Sequence, residues 1–239
     1  MQVIFGKHPV LECILSGKEV DKILLNKQSK GFDDIINAAR ERDIFVQKVP
    51  LERINRVTRK NHQGVVALVA PIHYYNIEDV LPHVHEKGET PLFVVLDGIT
   101  DVHNLGAIAR SAECLGVHAI IVPQKGSAQI NDQAIKASAG ALNIIPVCKE
   151  KDIESAVKYL KLNGIKIYAS DLKGNKEIKE IDFKVPCAII MGSEDFGVQH
   201  SVSKLADELF TIPMKGKIES FNVSVATGIC LYQVALDRS

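Results

Sequence analysis

The sequence predicts an α/β chain in two parts, and three observations carry that expectation. From residue 92 onward, predominantly apolar runs recur at residues 92–96, 118–122, 165–169 and 187–191. Such runs are typical of parallel strands buried on both faces with helices between them. Ahead of them, residues 1–70 switch between strand and helix periods in short segments, as a small α/β sandwich does. Between the two, residues 71–90 lose apolar density and collect Pro71, Pro82 and Gly88, the composition of a linker. The expected domains are therefore residues 1–70, a linker at 71–90, and residues 91–239.

In the first part, Val10 to Leu15 follows Pro9 as a short helix, and residues 21–25 read as a strand. Residues 32–42 form an amphipathic helix with Ile35, Ile36 and Ala39 inward, and residues 44–46 a strand. A charged helix over residues 51–59 and a closing strand over 64–69 complete this part. Arg53, Arg56, Arg59 and Lys60 are spaced i, i+3, i+6 and i+7 on that charged helix, close to one face. The spacing alone describes an ordinary solvated face.

Composition narrows the function classes. The chain has 239 residues, 46% apolar and 24% charged, with 29 basic residues against 29 acidic ones, values of a globular protein without need of disulfides. No apolar run approaches the roughly 18 residues needed to cross a bilayer, and the start lacks a secretory pattern; a cytoplasmic location and no membrane partner are expected. The five cysteines are odd in number and more than thirty residues apart, so neither a disulfide framework nor a metal knuckle is written here. His83 and His85 stand in a polar connector without further ligands nearby, and no metal site is expected. The zero net charge hides an asymmetry: residues 1–70 carry 12 basic and 8 acidic side chains, a balance of +4. A modestly basic front end suits a polyanion, whereas the absence of Trp disfavours a stacking platform for single-stranded RNA.

Three segments break the regular pattern, each after a strand, where open α/β sheets bind ligands. In the first, a polar loop from Asp97 to His103 leads into a helix with Asn104 near its start, where Asn is a natural cap. Arg110 follows among Ala107, Ile108, Ala109 and Ala112; in a closely packed helix its guanidinium would need an anion. In the second, a buried strand ends on Gly192, with Glu194 before Gly197. This is no P-loop, because Val198-Gln199 stands where Lys-Ser/Thr is required. In the third, a strand ends at Ile212-Pro213, a loop carries Met214, and Ser220 or Asn222 caps a final helix. That helix is apolar on nearly every side, so it must be buried in its own domain or against a second subunit.

Taken in order, these three segments closely resemble the three motifs of the SpoU branch of the SPOUT superfamily, the ribose 2′-O-methyltransferases of tRNA and ribosomal RNA. The front end, through Phe5-Gly6-Lys7-His8-Pro9-Val10 and His62-Gln63-Gly64, is similar to the RNA-binding domain of bacterial enzymes that methylate a guanosine ribose in 23S ribosomal RNA. The resemblance implies a parallel-sheet domain with a C-terminal trefoil knot, preceded by a small α/β RNA-binding domain, acting as a homodimer. It implies S-adenosylmethionine as cofactor, bordered by Gly192, Ile212, Met214, Phe221 and Asn222, with the loop at Ala169-Ser170 nearby. Asn104, Arg110, Glu194, Ser220 and Asn222 become the catalytic set, and Arg53, Arg56, Arg59 and Lys60 phosphate contacts. The implied substrate is 23S ribosomal RNA or the assembling large subunit. A tRNA ribose methyltransferase and a non-catalytic RNA-binding assembly factor are the alternatives. The sequence departs from the family pattern at Phe221 (usually Leu), Asp195-Phe196 (usually small residues) and Val102 (usually Pro), none of which removes a polar group of the set.

Overall fold

A computed structural model describes residues 2–239. The chain divides into two compact units, one running through His73 and including Ile130–Asp132, the other comprising Tyr74–Gln129 and Gln133–Ser239.

The first unit contains β1 (Gln2–Phe5), α1 (Lys7–Leu15), β2 (Val20–Asn26), α2 (Asp33–Glu41), β3 (Val46–Val49), α3 (Leu51–Val57) and β4 (Val65–Val69). The sheet order is β1-β4-β2-β3, with β4 antiparallel to β1 and β2, and β3 parallel to β2. Because strand side chains alternate between faces, Ile23, Leu25, Val65 and Ala67 pack against α1 and α2, whereas Leu24, Val66 and Leu68 pack with Ile54 of α3. The charged helix ends at Val57, with Thr58 extended, earlier than the expected Arg59. Arg59 and Lys60 therefore leave the shared helical face, although all four basic residues remain exposed.

The second unit contains α4 (Ile77–Glu86), β5 (Leu92–Asp97), α5 (Val102–Cys114), β6 (Ala119–Pro123), α6 (Asp132–Ala137, its first residue counted with the first unit) and β7 (Val147–Glu150). It continues through α7 (Ile153–Leu162), β8 (Lys166–Ser170), β9 (Lys176–Glu177), β10 (Cys187–Gly192), α8 (His200–Ser203), β11 (Glu208–Thr211) and α9 (Val223–Arg238). Seven strands form one parallel sheet in the order β7-β6-β5-β10-β8-β11-β9. The order is compatible with a threaded C-terminal knot.

The segment at 71–90 differs from the expected linker. Helix α4 runs through Pro82, with Ile77, Val80, Leu81 and Val84 in the core beside α7 and the sheet. Burial of that i, i+3, i+4, i+7 stripe outweighs the missing backbone donor at Pro82.

Helix α9 buries Val223, Ala226, Thr227, Cys230, Leu231 and Val234 and packs on α5 and β10. Its last turn is anchored by Arg238, whose guanidinium donates to the carbonyls of Phe183, Thr90 and Val185 at 2.8 Å and of Pro91 at 3.1 Å. No helix among the described residues is long and apolar enough to cross a membrane.

Candidate active site

The three segments singled out in the sequence leave the carboxyl ends of β5, β10 and β11. Strands β5 and β10 are parallel neighbours with Gly192 in register with Asp97, so two of the segments emerge side by side. Gly192 is required there sterically: a Cβ at this position would stand 2.0 Å from the Gly197 carbonyl carbon and 2.1 Å from the Val198 nitrogen. The turn after it folds back tightly, with Ser193 and Gly197 exchanging backbone hydrogen bonds of 3.1 and 2.8 Å.

Asn104 is not the cap of α5. Asp101 is, its Oδ1 accepting from the backbone of His103 at 2.6 Å and of Asn104 at 3.4 Å. This leaves the Asn104 side chain available to reach across the sheet. Its Nδ2 donates to Glu194 Oε1 at 3.2 Å, and its Oδ1 accepts from Asn222 Nδ2 at 2.9 Å. Asn222 Nδ2 also donates to Glu194 Oε1 at 2.6 Å. Asn222 caps α9, its Oδ1 accepting from Ser224 N at 3.0 Å and Ser224 Oγ at 2.5 Å. Each segment thus contributes one member to a closed triangle, and Glu194 receives a further hydrogen bond, 3.4 Å, from Val223 N at the start of α9. A carboxylate at a helix N-terminus also meets the positive end of the helix dipole.

Arg110 departs from its expected surroundings. Ile108, Ala109 and Ala112 are buried, but Arg110 lies on the exposed side of α5, because successive helix positions turn by about 100°. It makes no hydrogen bond or ion pair among the described residues, so five donors are presented to solvent. Ser220 is exposed and lines the cavity without joining the triangle.

Beside the triangle lies a cavity of about 840 Å³ bordered by Gly192, Ile212, Met214, Phe221 and Ser220, and also by Ser170 and Glu194. Asn222 is not among its lining residues. Leu209, Val223 and Ala226 supply an apolar wall, while Ser193 and Thr211 supply hydroxyls. Phe196 stands at the edge, 88% exposed. An apolar hollow with a few polar groups and tightly approached backbone fits a nucleoside-sized ligand.

Two residues here were not singled out from the sequence. Asp97 closes β5 with its carboxylate 1% exposed, and Gln199 lies at the far end of the glycine turn. The available signal was one acidic residue ending an otherwise wholly apolar strand. In the first unit, the two front-end cues meet: Lys7 N donates to Gln63 Oε1 at 3.0 Å and Gly6 N to the Val65 carbonyl at 3.2 Å.

Thiol chemistry has no place at this site. Burial pushes Cys148 and Cys230 up to about 12 and Cys187 up to about 11, so these thiols stay protonated and inert. No group of three or more His, Cys, Asp or Glu converges as a metal site among the described residues.

A parallel α/β sheet with a nucleoside-sized cavity and a polar triangle at its carboxyl edge defines the class as a nucleoside-binding α/β protein, and comparison with known proteins narrows it. A family model described as SpoU rRNA Methylase family matches residues 91–232, and one described as RNA 2′-O ribose methyltransferase substrate binding matches residues 3–75. A Bacillus subtilis protein named for the TrmH family of tRNA/rRNA methyltransferases, YacO, is 33% identical over 238 residues, covering 99% of this chain and 96% of that protein. A Staphylococcus epidermidis protein named for the same family is 34% identical with the same coverage. Among solved structures, the AdoMet-bound rRNA methyltransferase of Sinorhizobium meliloti aligns with a TM-score of 0.63 at 25% identity, covering 97% of this chain and 85% of that one. The AdoMet complex of the SpoU methyltransferase AviRb from Streptomyces viridochromogenes shares the fold, with a TM-score of 0.64 at 21% identity and coverage of 99% and 90%. The chain belongs to the SpoU rRNA methylase family, the TrmH/SpoU 2′-O-ribose methyltransferases of RNA.

Proposed function

We propose that this chain methylates the 2′-hydroxyl of a guanosine ribose in 23S ribosomal RNA, alone or in the assembling large subunit, and that it works as a homodimer. The observation that carries the reading is the closed triangle of Asn104, Glu194 and Asn222 beside the cavity, because it joins all three segments at the rim where an acceptor would approach. The match of residues 3–75 to a substrate-binding model supports a separate RNA-holding unit at the front, where Arg53, Arg56, Arg59 and Lys60 would meet phosphates.

S-adenosylmethionine supplies an electrophilic sulfonium methyl group. In the proposed site, Gly192, Ile212, Met214 and Phe221 hold this cofactor, with Asn222 fixing the adjoining start of α9. The residues' main contribution is orientation, since in-line approach of an oriented oxygen accounts for much of the rate of such a transfer. Arg110 is a poor base, because a guanidinium offers five N–H donors and no acceptor. Its unpaired, exposed guanidinium suits a different role, holding the phosphate beside the target ribose and the negative charge developing on the 2′-oxygen. The 2′-hydroxyl proton then passes through that phosphate to solvent. Glu194 holds Asn104 and Asn222 in fixed orientations, and Ser220 guides the ribose into the mouth of the cavity.

The homodimer rests on α9. Opposite its buried stripe, Val225 is 51%, Tyr232 59% and Leu236 51% exposed. With Ile229 they follow i, i+4, i+7 and i+11, a continuous apolar seam suited to a second copy.

The test is transfer of labelled methyl from S-adenosylmethionine to 23S ribosomal RNA and bulk tRNA in parallel, with ribose methylation mapped by resistance to alkaline cleavage. Label at one guanosine ribose of 23S RNA is the expected result. Label in tRNA instead moves the substrate to that class, and label in neither RNA nor ribosomal particles, with cofactor bound, favours an assembly factor.

A further inference from the structure

Asp97 holds a buried carboxylate with no cationic partner among the described residues. Keeping such a charge inside is costly unless both oxygens are hydrogen-bonded. Here both are: Oδ2 accepts from the backbone N–H of Gln199 at 2.7 Å, and Oδ1 from its side-chain Nε2 at 2.6 Å. The two residues are 102 positions apart, so the clasp is not a by-product of local turn geometry. Its location gives it leverage. Asp97 is the strand neighbour of Gly192, where the glycine turn begins, and its carboxylate grips Gln199, where that turn ends. Within the closed span, Ser193 Oγ accepts from Phe196 N at 3.2 Å, and Glu194 projects to Asn104 and Asn222.

We propose that Asp97 and Gln199 are positioning residues for methyl transfer: their buried clasp fixes both ends of the turn at residues 192–199, which borders the cofactor cavity and carries Glu194. The inference rests on the methyltransferase reading of the site. A displaced turn moves one wall of the cavity and one corner of the triangle together, so both cofactor affinity and turnover depend on the clasp. Gln199 also lines the cavity whereas Asp97 does not, so rescue through Asp97, rather than the Gln199→Glu loss by itself, marks the clasp.

The chemistry of the pair supplies a rescue experiment. Gln199→Glu sets two carboxylates against each other, while Asp97→Asn in the same chain restores complementarity: the carbonyl of the new amide accepts the backbone N–H, and its NH2 group donates to the introduced carboxylate. For Gln199→Glu, we expect S-adenosylmethionine affinity, read by calorimetry, and kcat each to fall roughly 10- to 100-fold, the range for disrupting a hydrogen bond to a charged group. The double variant should return to within about threefold of the parent, with all assays run well below each variant's Tm. An unchanged Gln199→Glu variant overturns the proposal, as does a double variant that stays as impaired as Gln199→Glu or a loss that follows Tm alone. If the parent binds cofactor but labels no RNA, the functional reading fails while the affinity arm still decides the clasp.

Discussion

At the residue scale, the site separates groups that hold the protein together from groups that face the substrate. Arg110 is exposed and makes no hydrogen bond or ion pair among the described residues, so Arg110→Ala should leave Tm within about 1 °C of the parent, as surface substitutions usually do within about 0.5 kcal/mol. Methyl transfer should nevertheless fall by about 100-fold or more, the scale for removing one preorganised charge-stabilising donor; labelled-methyl kinetics and thermal unfolding on the same sample check the pair. Gly192 is the opposite case. Gly192→Ala drives a methyl group into backbone that cannot swing aside, so stability should fall by about 3 kcal/mol, read by urea unfolding, and cofactor binding should be lost. Residue roles of this kind were partly legible in the sequence. Glycine beside glutamate at a strand end marked the turn, but the cap belongs to Asp101, and Asp97 with Gln199 could not be paired across 102 positions. Whether Arg110 faces core or solvent depends on which stripe of α5 is buried, and its small neighbours do not decide that.

At the scale of elements, legibility followed the strength of the hydrophobic pattern. The strands β5, β6, β8 and β10 stand where the predominantly apolar runs put them, displaced by no more than a residue or so at their ends. Helix α4 was obscured because Pro82, His83 and His85 dilute its stripe, and only the sheet beneath it shows that Ile77, Val80, Leu81 and Val84 are buried. Strand β1, four residues long, is defined by antiparallel pairing with β4, a partner over sixty residues distant. The early end of α3 bears on the proposed RNA contacts. Arg56 stays on the helix while Arg59 lies beyond it, after the extended Thr58, so the two guanidinium groups would track a phosphate chain less regularly than a single helical face. Reversing both, Arg56→Glu with Arg59→Glu, should weaken RNA binding about tenfold at moderate salt and flatten its salt dependence. Filter binding across a salt series checks this, and cofactor affinity should stay unchanged.

At the scale of the whole molecule, two properties follow from burial. The proposed homodimer would cover the exposed seam of α9: sedimentation should show a dimer at micromolar concentration, and Tyr232→Glu combined with Leu236→Glu should give monomers. The buried thiols set the alkaline limit of stability. An unfolded cysteine loses its proton near its ordinary value of 9.0, whereas Cys148, Cys187 and Cys230 hold theirs to about 12, 11 and 12 in the fold. From pH 9 upward the unfolded state therefore binds fewer protons, and stability falls as pH rises. The three together should lower unfolding free energy by about 4 kcal/mol between pH 8 and 10, at 1.36 kcal/mol per pKa unit for each, measured by denaturant titration at the two pH values.

The triangle of Asn104, Glu194 and Asn222 also has a consequence in time. Its corners lie 28, 90 and 118 residues apart along the chain, and no single helix or strand contains two of them. Contacts this distant form slowly, because the intervening loops must close before pairing rewards them. During refolding, helical signal should return well before any capacity to modify RNA, and a chain halted partway would be silent rather than indiscriminate. Chemistry that permanently marks a nucleic acid is thereby withheld until the domain has finished folding.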